Sequence, residues 1–417
     1  MREPIYKSRP VAPNPARFGG ERINDFIVMS EGCSNSYLIE TGAGNIQINA
    51  GMGFEAPVHG KNFAAFSSNA IRYLILTQGH VDHVGGVAWF REQHPGLSVI
   101  AQAGNSEHQN YDARLATFRA NRSAFAFTDK FAKIFQYYAE EGYTDYPAQD
   151  QPVPDVLVDQ RHSFSLGGLD LELIAVPGAE TNDSLVVWLP QHRICFTGNL
   201  FGCPFGHFPN LVTIRGDRYR DALVVAAAVQ VVLNLEPEMI VYGHHAPIVG
   251  AELIRTELTC LRDAIRYVHD ETLRGMNAGL DVHTLMRDIQ LPPELEIGQG
   301  YGKVSWSVRA IWENYAGWFH QRSTTELYSV PADSIHADLI ELAGGPQALI
   351  ARAGEKFVAG EREQALYLLD IVLSQAQSPV EARELAGRVH ASLLRDTANF
   401  WLEAWLARQI EILAREE

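Results

Sequence analysis

The sequence predicts an α/β domain followed by an all-α domain. From Asp25 onward short β-prone runs alternate with turn residues, and from about residue 87 helical stretches fall between the strands. That alternation belongs to sheets covered by layers of helices. Beyond about residue 252 the strand signals fade, Ala, Leu, Glu and Arg take over, and apolar residues recur three and four apart. A length of 417 residues agrees with such a division, because single hydrophobic cores stop growing well below that size.

Residues 1–24 read as an N-terminal arm, rich in Pro, Arg and Gly and without visible chemistry. FIVMS, SYLIETG, NIQINAGMG and YLILTQGH read as hairpin strands leading into a buried strand. VAWFREQH then gives a helix and LSVIAQAG a strand. Residues 105–150 place Phe118, Phe125, Phe127, Phe131, Phe135, Tyr137 and Tyr138 between charged residues, as helices inserted between strands would. Those aromatics serve either as helix core or as a lid over a substrate pocket. Strands resume at DVLVDQ, LDLELIAVPG, SLVVWLP and RICFTGN, and a helix over residues 218–234 leads into the strand MIVYGHH. Segments 346–376 and 380–410 have the spacing of paired helices, too few to form a repeat array. The resulting division is an arm (1–24), an α/β domain (25–252) and a helical domain (253–417).

Composition narrows the partners. A formal net charge of −16 argues against nucleic acid and anionic membranes, which need a basic footprint, and leaves a small-molecule substrate. No apolar run is long enough to span a bilayer and the N-terminus lacks an apolar signal region, so a cytoplasmic location is expected. Cys33, Cys195, Cys203 and Cys260 contain no CxxC pair, which fits reduced structural thiols.

The strongest local signal is Thr77-Gln78-Gly79-His80-Val81-Asp82-His83-Val84-Gly85-Gly86, directly after the strand YLIL and before a helix. A loop there projects His80, Asp82 and His83 into one site, and imidazole and carboxylate are the ligand types that zinc and its first-row neighbours prefer. Glu180, after LELIAV, and His244, after MIV, also stand at strand ends. Strands that end at one edge of a sheet can bring such residues together.

These residues resemble the metallo-β-lactamase superfamily, whose motif is HxHxDH with further ligands at three later strand ends. The matched positions are Gln78, His80, Asp82, His83, Glu180, Asn199 and His244, the last in preference to its neighbour His245. The PG-x-E setting of Glu180 is similar to the alkyl sulfatase branch. So are NLVTIRGDRYRD (210–221), DAIRYVHDETLRGMNAGL with LPPEL, YGKVSWSVRAIWENYAGWF (301–319) and the helices around AGGPQALIARAGEKFVAGEREQAL. The resemblance covers nearly all of residues 25–410. It implies a four-layer αββα sandwich followed by an all-α dimerisation domain, a homodimer, and one or two Zn2+ or other divalent first-row ions. The sterol-carrier-like C-terminal domain common in that branch is not found in the sequence, which argues against long detergent-like alkyl chains.

Against the family pattern, Gln78 replaces the first His, Asn199 replaces a metal-bridging carboxylate, and Asn49 replaces the usual Asp of the INAG turn. A neutral amide is the weaker ligand, so the first site (Gln78, His80, Glu180) is expected to bind metal less tightly than the second (Asp82, His83, His244).

The resemblance implies a metal-dependent hydrolase that turns an activated water on a sulfate ester or related small anionic ester. In this reading Asp82 also orients the water and Arg215 holds the anionic group through its planar fork. His207, in GCPFGHFPN, protonates the leaving group. On the residues alone, Arg215 equally fits a surface ion pair and His207 a packed loop histidine. The same chemistry aimed at a lactone, β-lactam or thioester is a second reading, because fold does not determine substrate. A non-catalytic scaffold with a degenerate metal site is a third, motivated by the three amides.

Overall fold

The computed structural model describes residues 4–8 and 16–415, so residues 1–3 and 9–15 of the expected arm lie outside the described residues. Seven strands form the first sheet in chain order: β1 (Glu21–Arg22), β2 (Ile27–Ser30), β3 (Ser36–Ile39), β4 (Asn45–Ile48), β5 (Ile71–Ile75), β6 (Ser98–Gln102) and β7 (Val156–Val158). The second sheet contains β8 (Arg161–Leu166), β9 (Leu169–Ala175), β10 (Leu185–Leu189), β11 (Ile194–Gly198), β12 (Met239–Tyr242) and β13 (Ile248–Val249), laid out from β13 back to β8. The helices α1 (Ala56–Ala64), α2 (Val81–Val84), α3 (Val87–Gln93), α4 (Asn105–Arg114), α5 (Ala116–Glu140), α6 (Ala222–Leu235), α7 (Ala251–Asn277), α8 (Val282–Asp288) and α9 (Val304–Ala316) accompany them.

The two-residue period of a strand explains the sandwich. Ile27, Met29, Tyr37 and Ile39 of the first sheet share one core with Leu185, Val187, Leu189 and Val241 of the second. Their neighbours point the other way and are covered by helices. Val28, Leu38 and Leu74 pack with Ala56, Phe63, Val87 and Phe90 of α1 and α3. Val186, Trp188, Ile240 and Tyr242 pack with the apolar faces of α6 and α7. Strands buried on both faces read as continuous apolar runs, as LVVWL and ICFTG do. The layers are therefore α, β, β, α, as the resemblance implies.

The compact units divide between Asn314 and Tyr315, not at residue 252 as the fading strand signal suggested. The reason is the apolar stripe of α7: Ile254, Leu258, Leu261, Ile265 and Val268 lie in the same core as β12 and α6, together with Val304, Val308 and Ile311 of α9. In the second unit α10 (His336–Leu342), α11 (Pro346–Val358), α12 (Arg362–Leu373), α13 (Val380–Arg395) and α14 (Phe400–Ala414) surround a core of their own, centred on Ala353, Leu369, Val372, Leu385 and Val389. The two expected helix pairs are α11 with α12 and α13 with α14.

Candidate metal centre and substrate cavity

The loop after β5 is held open by its neighbours. Asn49, at the end of β4, adopts φ 59°, a left-handed conformation that Asn tolerates. Its Oδ1 accepts the Thr77 N–H at 2.9 Å and the Thr77 hydroxyl at 3.1 Å. The Ala50 N–H donates to His83 O at 2.8 Å, and Leu185 N–H donates to Thr77 O at 2.8 Å, tying the loop to both sheets. The ends of β11 and β12 then approach closely enough to exclude side chains. A Cβ at Gly198 would come within 2.3 Å of Thr77 Oγ1, and one at Gly243 within 2.1 Å of Asn199 Oδ1.

At this junction one ligand atom each from Asp82, His83 and His244 lies within 4.8 Å of the others. Asp82 Oδ2 is 3.7 Å from His83 Nε2 and 3.9 Å from His244 Nε2. Ser34 Oγ sits 3.2 Å from His83 Nδ1, and the Cys33 backbone hydrogen-bonds to His244. The Cys33 contact orients the His244 imidazole and leaves its other nitrogen for a metal, whereas both His83 nitrogens have neighbours, Ser34 Oγ at Nδ1 and Asn199 Nδ2 at Nε2. Burial pushes His83 down to about 3 and His244 down to about 4, so both rings are neutral, as metal ligands must be. Burial pushes Asp82 upward, with His244 and Arg215 opposing it. Two neutral imidazoles around a half-buried carboxylate fit a divalent cation.

Of the other expected ligands, Gln78 and Glu180 have side-chain partners, while Asn199 Oδ1 and His80 Nε2 are buried without a hydrogen-bond partner. Gln78 Nε2 lies 2.7 Å from His80 Nδ1, and Gln78 Oε1 accepts the Asn199 N–H at 3.3 Å. Asn199 Nδ2 stands 3.1 Å from His83 Nε2. Glu180 faces Arg220, whose Nη2 is 3.1 Å from Glu180 Oε1 and whose Nε donates to Glu180 O at 2.7 Å. Burial raises the Glu180 carboxyl, and Arg220 and Arg215 pull against that rise. Gln78, His80 and Glu180 are all buried, and the group of His, Cys, Asp and Glu side chains that converges includes neither His80 nor Glu180.

A cavity of about 350 Å³ opens beside His80 and Asp82. Arg215 lines it, facing Asp112, Ala116, Arg119 and Ser123 from α4 and α5. The inserted helices thus serve twice: the start of α5 walls the cavity, while Phe131, Tyr137 and Tyr138 pack with Phe54 and Ile134. Arg215 makes no hydrogen bond or ion pair among the described residues, and its buried Nε is without a partner. Burial works against its charge, but Tyr301, Asp217, Glu180 and Asp82 outweigh that and raise its pKa. Asn210 Nδ2 and Thr213 Oγ1, on the same segment, are also buried without partners.

His207 is not brought to this cavity. Its Nδ1 accepts the Gly300 N–H at 2.9 Å and its ring meets Tyr6 edge-on at 5.5 Å, so the structure uses it as a packed loop histidine. Sequence reasoning missed Ser34, Arg119 and Arg220. Only the NLVTIRGDRYRD segment, which carries Arg220, gave any signal for one of them.

Residues 30–244 match the metallo-beta-lactamase superfamily and residues 282–412 match the alkyl sulfatase dimerisation family. The chain is 28% identical over 374 residues to a linear primary-alkylsulfatase of Pseudomonas sp. (strain ATCC 19151), covering 85% of this chain and 69% of that protein. It is 25% identical over 361 residues to the alkyl/aryl-sulfatase BDS1 of Saccharomyces cerevisiae, covering 82% of this chain and 55% of that protein. The fold superimposes on the stereoselective inverting sec-alkylsulfatase Pisa1 of Pseudomonas sp. with a TM-score of 0.82 at 20% identity, over 96% of this chain and 66% of that one.

Proposed function

Because the chain belongs to the metallo-beta-lactamase superfamily and continues into an alkyl sulfatase dimerisation region, we propose that it is a metal-dependent sulfate ester hydrolase that works as a homodimer. The observation that carries this reading is Arg215. A half-buried guanidinium whose Nε is buried without a partner, beside a cavity that also holds Asp82, calls for an anionic ligand. Asn210 Nδ2 and Thr213 Oγ1, on the same segment, are also buried without partners, and the planar fork of Arg215 suits a sulfate better than a neutral carbonyl. The names of the curated relatives point to the same substrate class.

Asp82, His83 and His244 would hold the cation, and their ligand types suit Zn2+. Once bound, the ion supplies Lewis acidity and lowers the pKa of its water. The remaining work falls to the chain. Arg215 neutralises and orients the ester, which fixes the scissile bond beside Asp82. Asp82, raised by burial, is a more basic carboxylate than an exposed one and suits the task of orienting a water. Arg220 holds Glu180 and the Asn210 carbonyl in place, so that the anion-binding segment keeps its geometry.

The test is to purify the protein without chelator, measure its metal, and present alkyl sulfates, aryl sulfates, lactones and a β-lactam reporter. Sulfate esters should be cleaved. Arg215→Lys should lower kcat/KM by roughly a hundredfold, since loss of a forked, desolvated contact costs about 3 kcal/mol. His83→Ala and His244→Ala should lose both metal and activity. Turnover of the lactone or β-lactam with none of the sulfate esters would redirect the function, and a folded, metal-free, inert protein would favour a scaffold.

A further inference from the structure

The hydrogen bonds around Gln78 determine where His80 carries its proton. The Asn199 backbone N–H can only donate, so the Gln78 atom facing it at 3.3 Å is the amide oxygen. Amide orientation is read from such networks. The amide nitrogen therefore faces His80 Nδ1 at 2.7 Å, and because that nitrogen can only donate, Nδ1 accepts. A neutral imidazole whose Nδ1 accepts carries its hydrogen on Nε2. An Nδ1 that accepts bears no hydrogen, so the ring, 7% exposed, is neutral.

His80 Nε2 is buried without a hydrogen-bond partner, and the residue lines the cavity with Arg215 and Asp82. An orphaned buried N–H is costly, and a bound ligand is one way to satisfy it. In this tautomer it offers a hydrogen, not a lone pair, so it suits an anion and repels a cation. Gln78 Oε1 already accepts from Asn199, and Glu180 is held by Arg220. Among the described residues the His, Cys, Asp and Glu side chains that converge within 4.8 Å are Asp82, His83 and His244, without His80.

We propose that Gln78 turns His80 from a metal ligand into a neutral hydrogen-bond donor that joins Arg215 in binding an oxygen of the substrate's sulfate, and that the chain holds a single metal ion on Asp82, His83 and His244. The substrate half of this inference rests on the sulfate ester reading; the metal half does not.

The experiment measures zinc content after equilibrium dialysis and inorganic sulfate binding by calorimetry on the zinc-loaded protein. Wild type, His80→Ala and His80→Gln should each retain about one equivalent of zinc, since none removes a ligand of the occupied site. Sulfate affinity should fall about tenfold or more in His80→Ala, the usual scale for a hydrogen bond to a charged group. In His80→Gln it should largely return, because the longer amide can present an N–H near the Nε2 position. Gln78→His, which restores an imidazole and releases His80, should raise zinc toward two equivalents. Two equivalents in the wild type, loss of zinc from His80→Ala, or unchanged sulfate affinity in His80→Ala would overturn the proposal. Zinc content is read without any substrate, so one retained equivalent in His80→Ala upholds the single-ion assignment even if no sulfate ester is cleaved. The two readings thus fail separately.

Discussion

Replacing Arg220 by Met should be among the most damaging single changes near the site that leave the metal ligands untouched. Arg220 is 6% exposed and donates to Glu180 O at 2.7 Å, to Asn210 O at 2.5 Å and to Glu180 Oε1 at 3.1 Å, with Asp217 Oδ2 3.8 Å away. Methionine fills the volume of the stem but supplies no charge and no donor. The Glu180 carboxylate would then be buried without a counterion, and removing one partner of a buried pair costs about 3–5 kcal/mol. Two backbone carbonyls would also lose a charged donor, while the retained stem packing offsets part of the loss. A net destabilisation of about 4 kcal/mol follows. Urea unfolding of the zinc-loaded protein, read by tryptophan fluorescence, measures it. Adding Glu180→Gln to the Arg220→Met background should recover at least about 2 kcal/mol, because the orphaned charge is gone. A loss under about 1 kcal/mol, or no coupling between the two positions, would show that Glu180 does not depend on Arg220.

Two further expectations concern parts of the fold away from the cavity. Glu55 is fully buried and, although its oxygens accept N–H groups from Cys33 at 2.8 Å and from Ala16 and Met52 at 3.1 Å, burial pushes it from 4.5 up to about 7. The folded state therefore keeps this proton up to about pH 7 while the unfolded chain releases it near 4.5, so its contribution is fullest below 4.5 and is lost as pH rises through 7. That span amounts to about 3 kcal/mol, and Glu55→Gln should flatten the slope of unfolding free energy between about pH 5 and 8; an unchanged slope refutes it. In the helical unit Trp318 is 70% exposed and Val358 89%, with Tyr315, Leu342 and Tyr367 also exposed, and large apolar side chains in that number are what a subunit interface would cover. Sedimentation equilibrium at micromolar concentration should give a dimer that Trp318→Glu weakens, and a monomeric wild type would count against the assembly.

How much of this was legible in the sequence depends on how local each signal is. YLIL followed by HVDHVGG is readable because an apolar strand and its ligand-bearing end are adjacent in the chain, and the same holds for MIVYGHH. β8 was not read as a strand because RHSFSL is an edge strand with polar residues at every other place, and it alternates between exposed and half-buried. The amphipathic stripe of α7 announces a helix but not which core it faces, and its partners lie in β12 and α6. Arg215, Arg218 and Arg220 stand within six residues, and nothing local says that the last one reaches Glu180 while the Nε of the first is buried without a partner. His207 has the chemistry of an acid catalyst, but a backbone N–H at Gly300 takes its Nδ1.

The three amides that set this chain apart make sense when taken together. An amide offers both a donor and an acceptor, and each of the three is used in the structure as a hydrogen-bond link. Asn49 anchors Thr77 at the mouth of the loop, Gln78 joins Asn199 to His80, and Asn199 closes on His83 Nε2. Carboxylates and an imidazole at these places would repel or compete unless a cation lay between them. Amides carry no charge that needs such a cation, although Asn199 Oδ1 is buried without a partner. The loop that carries Asp82 and His83 is thereby held by hydrogen bonds on the side of Gln78 and left to an ion on the side of His244. That asymmetry accords with one metal ion and one anion-binding flank within a single cavity.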